Sequence, residues 1–194
     1  MLQYYNHLVQ GTQLWCELRA GIITSTDAAK FCGASKYETP QQCLHSKLAG
    51  TSTATTEPMA RGSYYEVHAA TLYMQMYPTH KYYTTGICVD SETQMGYSPD
   101  LMINDDGLVE IKCPRWGYRN QPPPEHICQI QHALGISKRH YCDYVQWHIS
   151  EPDKIKIIRI YADYDFWIRQ LHTCMEWHQA LMDLRNQPTI KLKN

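Results

Sequence analysis

Residues 96–114 read G-Y-S-P-D-L-M-I-N-D-D-G-L-V-E-I-K-C-P, and the fold of the chain turns on this stretch. It holds a carboxylate (Asp100), a turn-forming Asn-Asp-Asp-Gly, and then Glu110 and Lys112. Alternate residues of a strand point to one face, so Glu110 and Lys112 share a face. Whether Asp100 joins them depends on the hairpin register. A two-residue turn at Asp105-Asp106 pairs Asn104 with Gly107 and sends Asp100 to the wrong side. A three-residue loop, Asp105-Asp106-Gly107, pairs Asn104 with Leu108 and sets Asp100 opposite Lys112. Such loops commonly end in a residue with positive φ, and Gly107 stands at that position. A bulge would rescue the other register.

Two neighbouring carboxylates repel unless a cation lies between them. Hard oxygen donors with open positions suit Mg²⁺ or Mn²⁺. Such an ion activates water and stabilises charge on a phosphate, and Lys112 would orient that water or stabilise the transition state. Ile111 offers only its backbone carbonyl as a ligand. The plainer reading is a surface hairpin with a Glu–Lys pair, and a lone E-x-K supports no more than that. An Asp after Ser-Pro, with nine residues between it and E-x-K on a turn-matched hairpin, is a much more specific signal.

The 194 residues, 43% hydrophobic and 19% charged, suit one compact domain spanning 1–194. No apolar stretch long enough for a membrane span occurs, and the start, M-L-Q-Y-Y-N-H, lacks a signal-peptide pattern. The eight cysteines form no C-x-x-C pair, so mostly buried, reduced thiols in a cytoplasm are expected. The ten histidines show no H-E-x-x-H or H-x-x-x-H spacing, which argues against a histidine-bound zinc. A net charge of −1 does not exclude nucleic acid, because metal-binding carboxylates count in that sum. Lys112, Arg115, Arg119, Lys138 and Arg139 crowd one stretch with few acids.

Leu14, Trp15 and Leu18 recur at helical spacing until Gly21 breaks the pattern. Thr24, Ser25 and Thr26 offer N-cap hydroxyls for a short helix beginning near Asp27. That helix start is a natural anion site, but on these residues alone simple capping is the favoured reading. A short helix over Gln41–Leu48, a mobile loop G-T-S-T-A-T-T-E-P, and a long helix from Pro58 to Met76 follow. Glu66 lies on the apolar face of that helix with Ala69, Ala70 and Tyr73. A buried lone charge is costly, so Glu66 calls for a salt bridge or a metal. Residues 81–90 read as one strand ending at Asp90. A helix from Glu125 to Gly135 carries Gln129 and Gln131. Strands 141–148 and 154–161 precede a final helix, 163–185, whose stripe of Trp167, Leu171, Cys174, Met175 and Leu181 reads as core. The order predicts an α/β fold with a central mixed β-sheet flanked by helices.

S-P-D…G-L-V-E-I-K-C-P resembles the PD-(D/E)xK nucleases, in particular the lambda-type exonuclease branch of the viral recombination nucleases. Q-G-T-x-x-W-x-x-L-R-x-G-x-I-T, the A-R-G-x-x-Y-E-x-x-A helix and Q-I-Q at 129–131 carry the same resemblance in the same order, over residues 10–148. It implies Asp100 and Glu110 as metal ligands, Lys112 as the catalytic lysine, Glu66 as the helix carboxylate and Gln129 as the helix glutamine. It also implies Asp90 as a further active-site acid, with Arg19, Thr26 and Ser98 near a 5′-terminal phosphate; Thr26 stands where a serine is expected.

The resemblance further implies Mg²⁺, two ions per site, and 5′→3′ digestion of one strand of linear double-stranded DNA. The products would be mononucleotides and a 3′ overhang. A homotrimer ring, a phage single-strand annealing protein as partner, and phage or prophage origin in a bacterial cytoplasm belong to the same expectation. An endonuclease on the same hairpin and a non-catalytic DNA-binding recombination protein are the alternatives. Arg61, Arg115, Trp116 and Arg119 are candidate DNA contacts. Trp116 and Tyr118 would stack on a displaced base or pack locally, and local packing is the commoner role of loop aromatics.

Overall fold

The computed structural model describes residues 1–50 and 57–187, apart from the side chains of 57–63. In chain order it runs β1 (Leu2–Tyr4), α1 (Gln13–Gly21), β2 (Ile23–Thr24), α2 (Ser25–Phe31), α3 (Pro40–Leu48), α4 (Glu57–Met76), β3 (Tyr82–Tyr83), β4 (Cys88–Asp90), β5 (Met95–Tyr97), β6 (Leu101–Ile103), β7 (Gly107–Lys112), α5 (Pro124–Ser137), β8 (Tyr141–Trp147), β9 (Ile155–Tyr161) and α6 (Tyr164–Asn186). The class is mixed α/β as expected, but there are two sheets rather than one. One is ordered β1-β4-β5-β2 and the other β3-β6-β7-β8-β9.

The residues expected to form one strand over 81–90 are divided between these sheets. Tyr82–Tyr83 pairs with β6, whereas Cys88–Asp90 pairs with β1 and β5. Gly86 sits at the break, where an added Cβ would lie 1.8 Å from the Leu8 carbonyl oxygen. Only glycine allows the backbones to pass that closely. Residues 95–97, read as the lead into the hairpin, are a separate strand of the smaller sheet.

β7 and β8 run parallel, and α5 is the crossover that joins them. Both faces of this pair are covered. Leu108 and Cys142 pack with Ile130, Leu134, Trp167 and Leu181 on the side of α5 and α6. Val109, Ile111, Val145 and Trp147 pack with Ala69 and Tyr73 of α4 on the other. Glu110 and Lys112 therefore share the face of Leu108, toward α5.

The hairpin keeps the expected face but not the expected register. Ile103 pairs with Gly107, so the three-residue loop is Asn104-Asp105-Asp106. The positive φ, 46°, falls on Asn104. Asn104 is held there from Lys81, whose N–H donates to Asn104 Oδ1 at 2.9 Å while its carbonyl accepts from Asn104 N–H at 2.8 Å. Gly107 serves a different purpose: a Cβ there would lie 2.6 Å from the Tyr141 ring. Extending the pairing sets Asp100 opposite Glu110 rather than Lys112.

Cys43, Cys88, Cys128, Cys142 and Cys174 are buried thiols, as the composition suggested. Trp167, Cys174 and Leu181 of α6 are buried and Leu171 packs on them, but Met175 is half exposed and leaves the stripe. Among the described residues no helix is long and apolar enough to cross a membrane. The loop expected over Gly50–Pro58 lies largely outside the described residues.

Candidate active site

The last residues of β7 gather the chemistry. Asp100 Oδ2 accepts the Ile111 N–H at 2.6 Å, which fixes that carboxylate against the strand end. Glu110 Oε1 accepts from Lys112 Nζ and, at 2.7 Å, from Gln129 Nε2 on α5. The β7–α5–β8 crossover thus delivers Gln129 to the face that alternation gives Glu110 and Lys112. Glu66 arrives from α4, in the opposite layer, and its charge acts on Asp100 and Lys112.

Burial raises the Asp100 carboxyl well above the usual carboxylate range, and Glu110 adds to it against the opposing pull of Lys112. Glu66 is raised too, first by burial, with Lys112 opposing and Glu110 reinforcing. Burial alone would lower the Lys112 pKa; Glu110 and Asp100 overcome it, so the ammonium stays protonated far above neutral pH. Three acids against one lysine leave a deficit of positive charge, and their donors are hard oxygens. The residues fit Mg²⁺ or Mn²⁺ held by Asp100, Glu110 and the Ile111 carbonyl, with Glu66 at the margin. Among the described residues no three carboxylate, imidazole or thiol groups form a ready-made cage.

A second group adjoins this one. The Arg19 guanidinium lies 4.2 Å from the Trp15 ring centroid and donates to Thr24 Oγ1 at 3.2 Å. Thr24 is the N-cap of α2 and donates its N–H and hydroxyl to Asp27 Oδ2 at 3.0 and 2.7 Å. Lys47 Nζ bonds Asp27 Oδ2 at 2.7 Å and the carbonyls of Arg19 and Ile22 at 2.8 and 2.7 Å. Burial works to raise the Asp27 pKa, but Lys47 and then Arg19 overcome it and hold the carboxyl far below its usual range. Ser25, the residue after Thr24, lines one recess together with Ser98, Glu110 and Gln129.

The sequence matches the YqaJ-like viral recombinase domain over residues 14–140, more than half of the chain. The chain belongs to that family. The YqaJ-like match contains Arg19, Glu66, Asp100, Glu110, Lys112 and Gln129, and it bears out the resemblance read from the motifs. The structure is similar to an alkaline exonuclease, LHK-Exo, from Laribacter hongkongensis, with a TM-score of 0.72 at 26% identity over 89% of this chain and 93% of that one. LHK-Exo in complex with dAMP gives 0.76 at 24% identity over 90% and 94%. SSO0001 shares the fold more distantly, with a TM-score of 0.51 at 16% identity over 93% and 90%. No curated protein matches the sequence.

Several residues singled out in this YqaJ-like sequence lie elsewhere. Asp90 pairs with Met95, at the opposite end of β5 from the run into Asp100. It binds the N-terminal amine at 3.1 Å and the Thr93 hydroxyl at 2.8 Å. Thr26 is exposed on α2, while its neighbour Ser25 is buried in the recess with an unpartnered hydroxyl. Ser98 lines the recess but donates its hydroxyl to the Gly86 carbonyl at 2.6 Å. The five basic residues are not one cluster. Arg139 donates to the carbonyls of Ile103, Asn104 and Gly107 at the turn, the far end of β7 from Lys112, and neighbouring Lys138 caps α5. Arg115, Trp116 and Arg119 are exposed on the loop after β7. The side chain of Arg61 lies outside the described residues.

Sequence reasoning passed over two residues beside the site. Tyr144 is the cross-strand partner of Glu110, and its hydroxyl lies 2.8 Å from His126 Nδ1, one turn before Gln129. Burial first, then Lys112, Arg119 and Lys36, lower the His126 pKa to about 3. The spacing of His126 and Gln129 on one helical face was the available signal.

Proposed function

We propose that this protein is a Mg²⁺- or Mn²⁺-dependent 5′→3′ exonuclease acting on linear double-stranded DNA. It releases 5′-mononucleotides and leaves a 3′ single strand for phage-type recombination by strand annealing. The observation that carries this reading is the convergence of Asp100, Glu110, Lys112 and Gln129 at the end of β7. The family match and the likeness to an alkaline exonuclease, one structure of which holds dAMP, support it.

A bound divalent ion, or a pair of them, would supply Lewis acidity at the scissile phosphate. Asp100, Glu110 and the Ile111 carbonyl would hold that charge, with Glu66 at the margin. Lys112 stays cationic at working pH, so it orients the attacking water and stabilises the extra negative charge of the transition state. Gln129 restrains the Glu110 carboxylate. Water attacks phosphorus in line, the bond from phosphorus to the 3′ oxygen breaks, and the departing oxygen is protonated. The released nucleotide keeps a 5′-phosphate. Arg19, steered by Thr24 and backed by Trp15, anchors the terminal 5′-phosphate, with Ser25, the residue after Thr24, lining the recess beside Glu110. That anchor would select strand ends over interior sites.

The proposed partners are DNA ends, two further copies of the chain in a ring, and a single-strand annealing protein. Digestion of linear duplexes bearing 5′-phosphate or 5′-hydroxyl ends, beside closed circular duplex, tests the reading. The phosphorylated ends should be consumed faster and the circle left intact. Equal cutting of the circle would make the enzyme an endonuclease. No cutting of any DNA by wild-type protein would leave a non-catalytic DNA-binding protein.

A further inference from the structure

The loop from β7 to α5 is anchored on both flanks and bare at its tip. The Arg119 N–H donates to Gln146 Oε1 at 2.7 Å, and the Arg119 carbonyl accepts from Gln146 Nε2 at 3.0 Å. Gln146 is fully buried on β8. His148 Nε2 lies 3.0 Å from the Arg115 carbonyl, the Tyr118 hydroxyl donates to the Lys154 carbonyl at 3.2 Å, and Lys156 Nζ donates to Asn120 Oδ1 at 2.8 Å. Gly117, at φ 91°, turns the chain at the tip. Tyr118 thus packs locally, as loop aromatics usually do, but Trp116 does not. Its side chain is 88% exposed, and the Arg115 guanidinium lies 4.9 Å from its ring centroid.

A rigid loop that holds a large apolar ring in water has a use for it. Trp116 lies four positions after Lys112, so their Cα atoms are at most about 14 Å apart. Gln146, which holds the Arg119 backbone, is the cross-strand partner of Lys112, so the loop is anchored beside the end of β7. Residues 113–124 contain two arginines and no acid. A flat ring flanked by guanidinium groups suits a nucleobase with its phosphates. Bases inside a duplex are stacked on each other, so the free face of Trp116 fits one that has left the stack.

We propose that Trp116, backed by Arg115, is the stacking platform for an unpaired nucleobase of the strand whose scissile phosphate lies at Lys112. This rests on the nuclease reading above. The platform would keep the strand being digested apart from its complement.

The test is an anisotropy titration of linear duplex with Ca²⁺ replacing Mg²⁺, using wild type, Trp116→Ala and Trp116→Phe. Each protein meets intact DNA and three DNAs, abasic at the first, second or third nucleotide of the 5′ strand. Trp116→Ala should weaken binding of intact DNA by about tenfold or more, and Trp116→Phe should stay close to wild type. One abasic position should bring wild type and Trp116→Ala to the same affinity, and it identifies the stacked base. Equal affinities on intact DNA would overturn the proposal. So would a loss that persists on all three abasic DNAs, which would mean a backbone contact. A changed subunit number with unchanged DNA binding would assign Trp116 to contact with a second copy and also overturn it. The two readings fail separately: absence of digestion in Mg²⁺ removes the nuclease function, whereas the abasic pattern reports stacking by itself.

Discussion

Glu110 and Glu66 raise the pKa of both Asp100 and Lys112, which disfavours the charged form of the first and favours that of the second. The ionised form of Asp100 is disfavoured by burial and by Glu110, so its folded-state pKa lies above the unfolded value. Such a group favours the fold at low pH, and that contribution is lost as pH rises through its folded pKa. At neutral pH the ionised Asp100 therefore costs stability, and a divalent cation of the kind proposed would offset that cost. Thermal melts at pH 7.5 should show a higher Tm with Mg²⁺ or Mn²⁺, by an increment of about 2–3 kcal/mol at a hundredfold excess over Kd. Asp100→Asn should raise the apo Tm and shrink that increment. An unchanged increment would remove Asp100 from the cation site. Asp100, Glu110 and Lys112 were legible from parity alone, because any three-residue loop keeps them on one face. Asp90 was not, because its distance along the chain says nothing about which sheet it joins. The shift of interest from Thr26 to Ser25 was within reach: once Thr24 is the N-cap, its immediate neighbour is the residue held against the recess.

At the scale of elements, the hairpin and α2 show what local chemistry specifies. The turn was readable as three residues with one positive φ, yet the choice between Asn104 and Gly107 was made by distant groups. Lys81 holds Asn104, and Tyr141 leaves no room for a Cβ at Gly107. The division of residues 81–90 between two sheets depends likewise on Leu8, which no pattern within that segment reveals. α2 is tied to α1 and α3 through Asp27 and Lys47, both buried. Removing one member of such a pair leaves an uncompensated charge, so Lys47→Met should cost about 3–5 kcal/mol in urea unfolding. The pH dependence follows from the direction of the Asp27 shift. Its folded pKa lies below the unfolded value, so its contribution is present above about pH 4 and is lost as pH falls below that toward the folded pKa. The gap between wild type and Asp27→Asn should therefore narrow with acid, and a gap that stays constant from pH 6 to pH 2.5 would contradict the pairing. Because Lys47 also binds the Arg19 carbonyl, its loss should reduce the preference for 5′-phosphorylated ends.

Across the whole molecule, the chain passes from the smaller sheet to the larger between β5 and β6, and that passage contains Ser98 and Asp100. The smaller sheet and α1–α2 bring Arg19 and Ser25, and the larger sheet with α5 brings Glu110, Lys112 and Gln129. On the proposed reading, end recognition and hydrolysis would fall to different halves of one fold. A ring of three copies would keep DNA threaded past these sites, and light scattering coupled to size exclusion should give three times the 22.6 kDa chain mass. A monomer at micromolar concentration would contradict the ring while leaving the chemistry intact. The most direct test of the central claim is a time course on linear duplex labelled separately at each 5′ and 3′ end, in Mg²⁺, with wild type and Lys112→Ala. The 5′ labels should be released first, as mononucleotides, while the 3′-labelled strands shorten only from their 5′ ends, and Lys112→Ala should slow release by about 10²-fold or more. Early release of 3′ labels, or undiminished digestion by Lys112→Ala, would contradict the account.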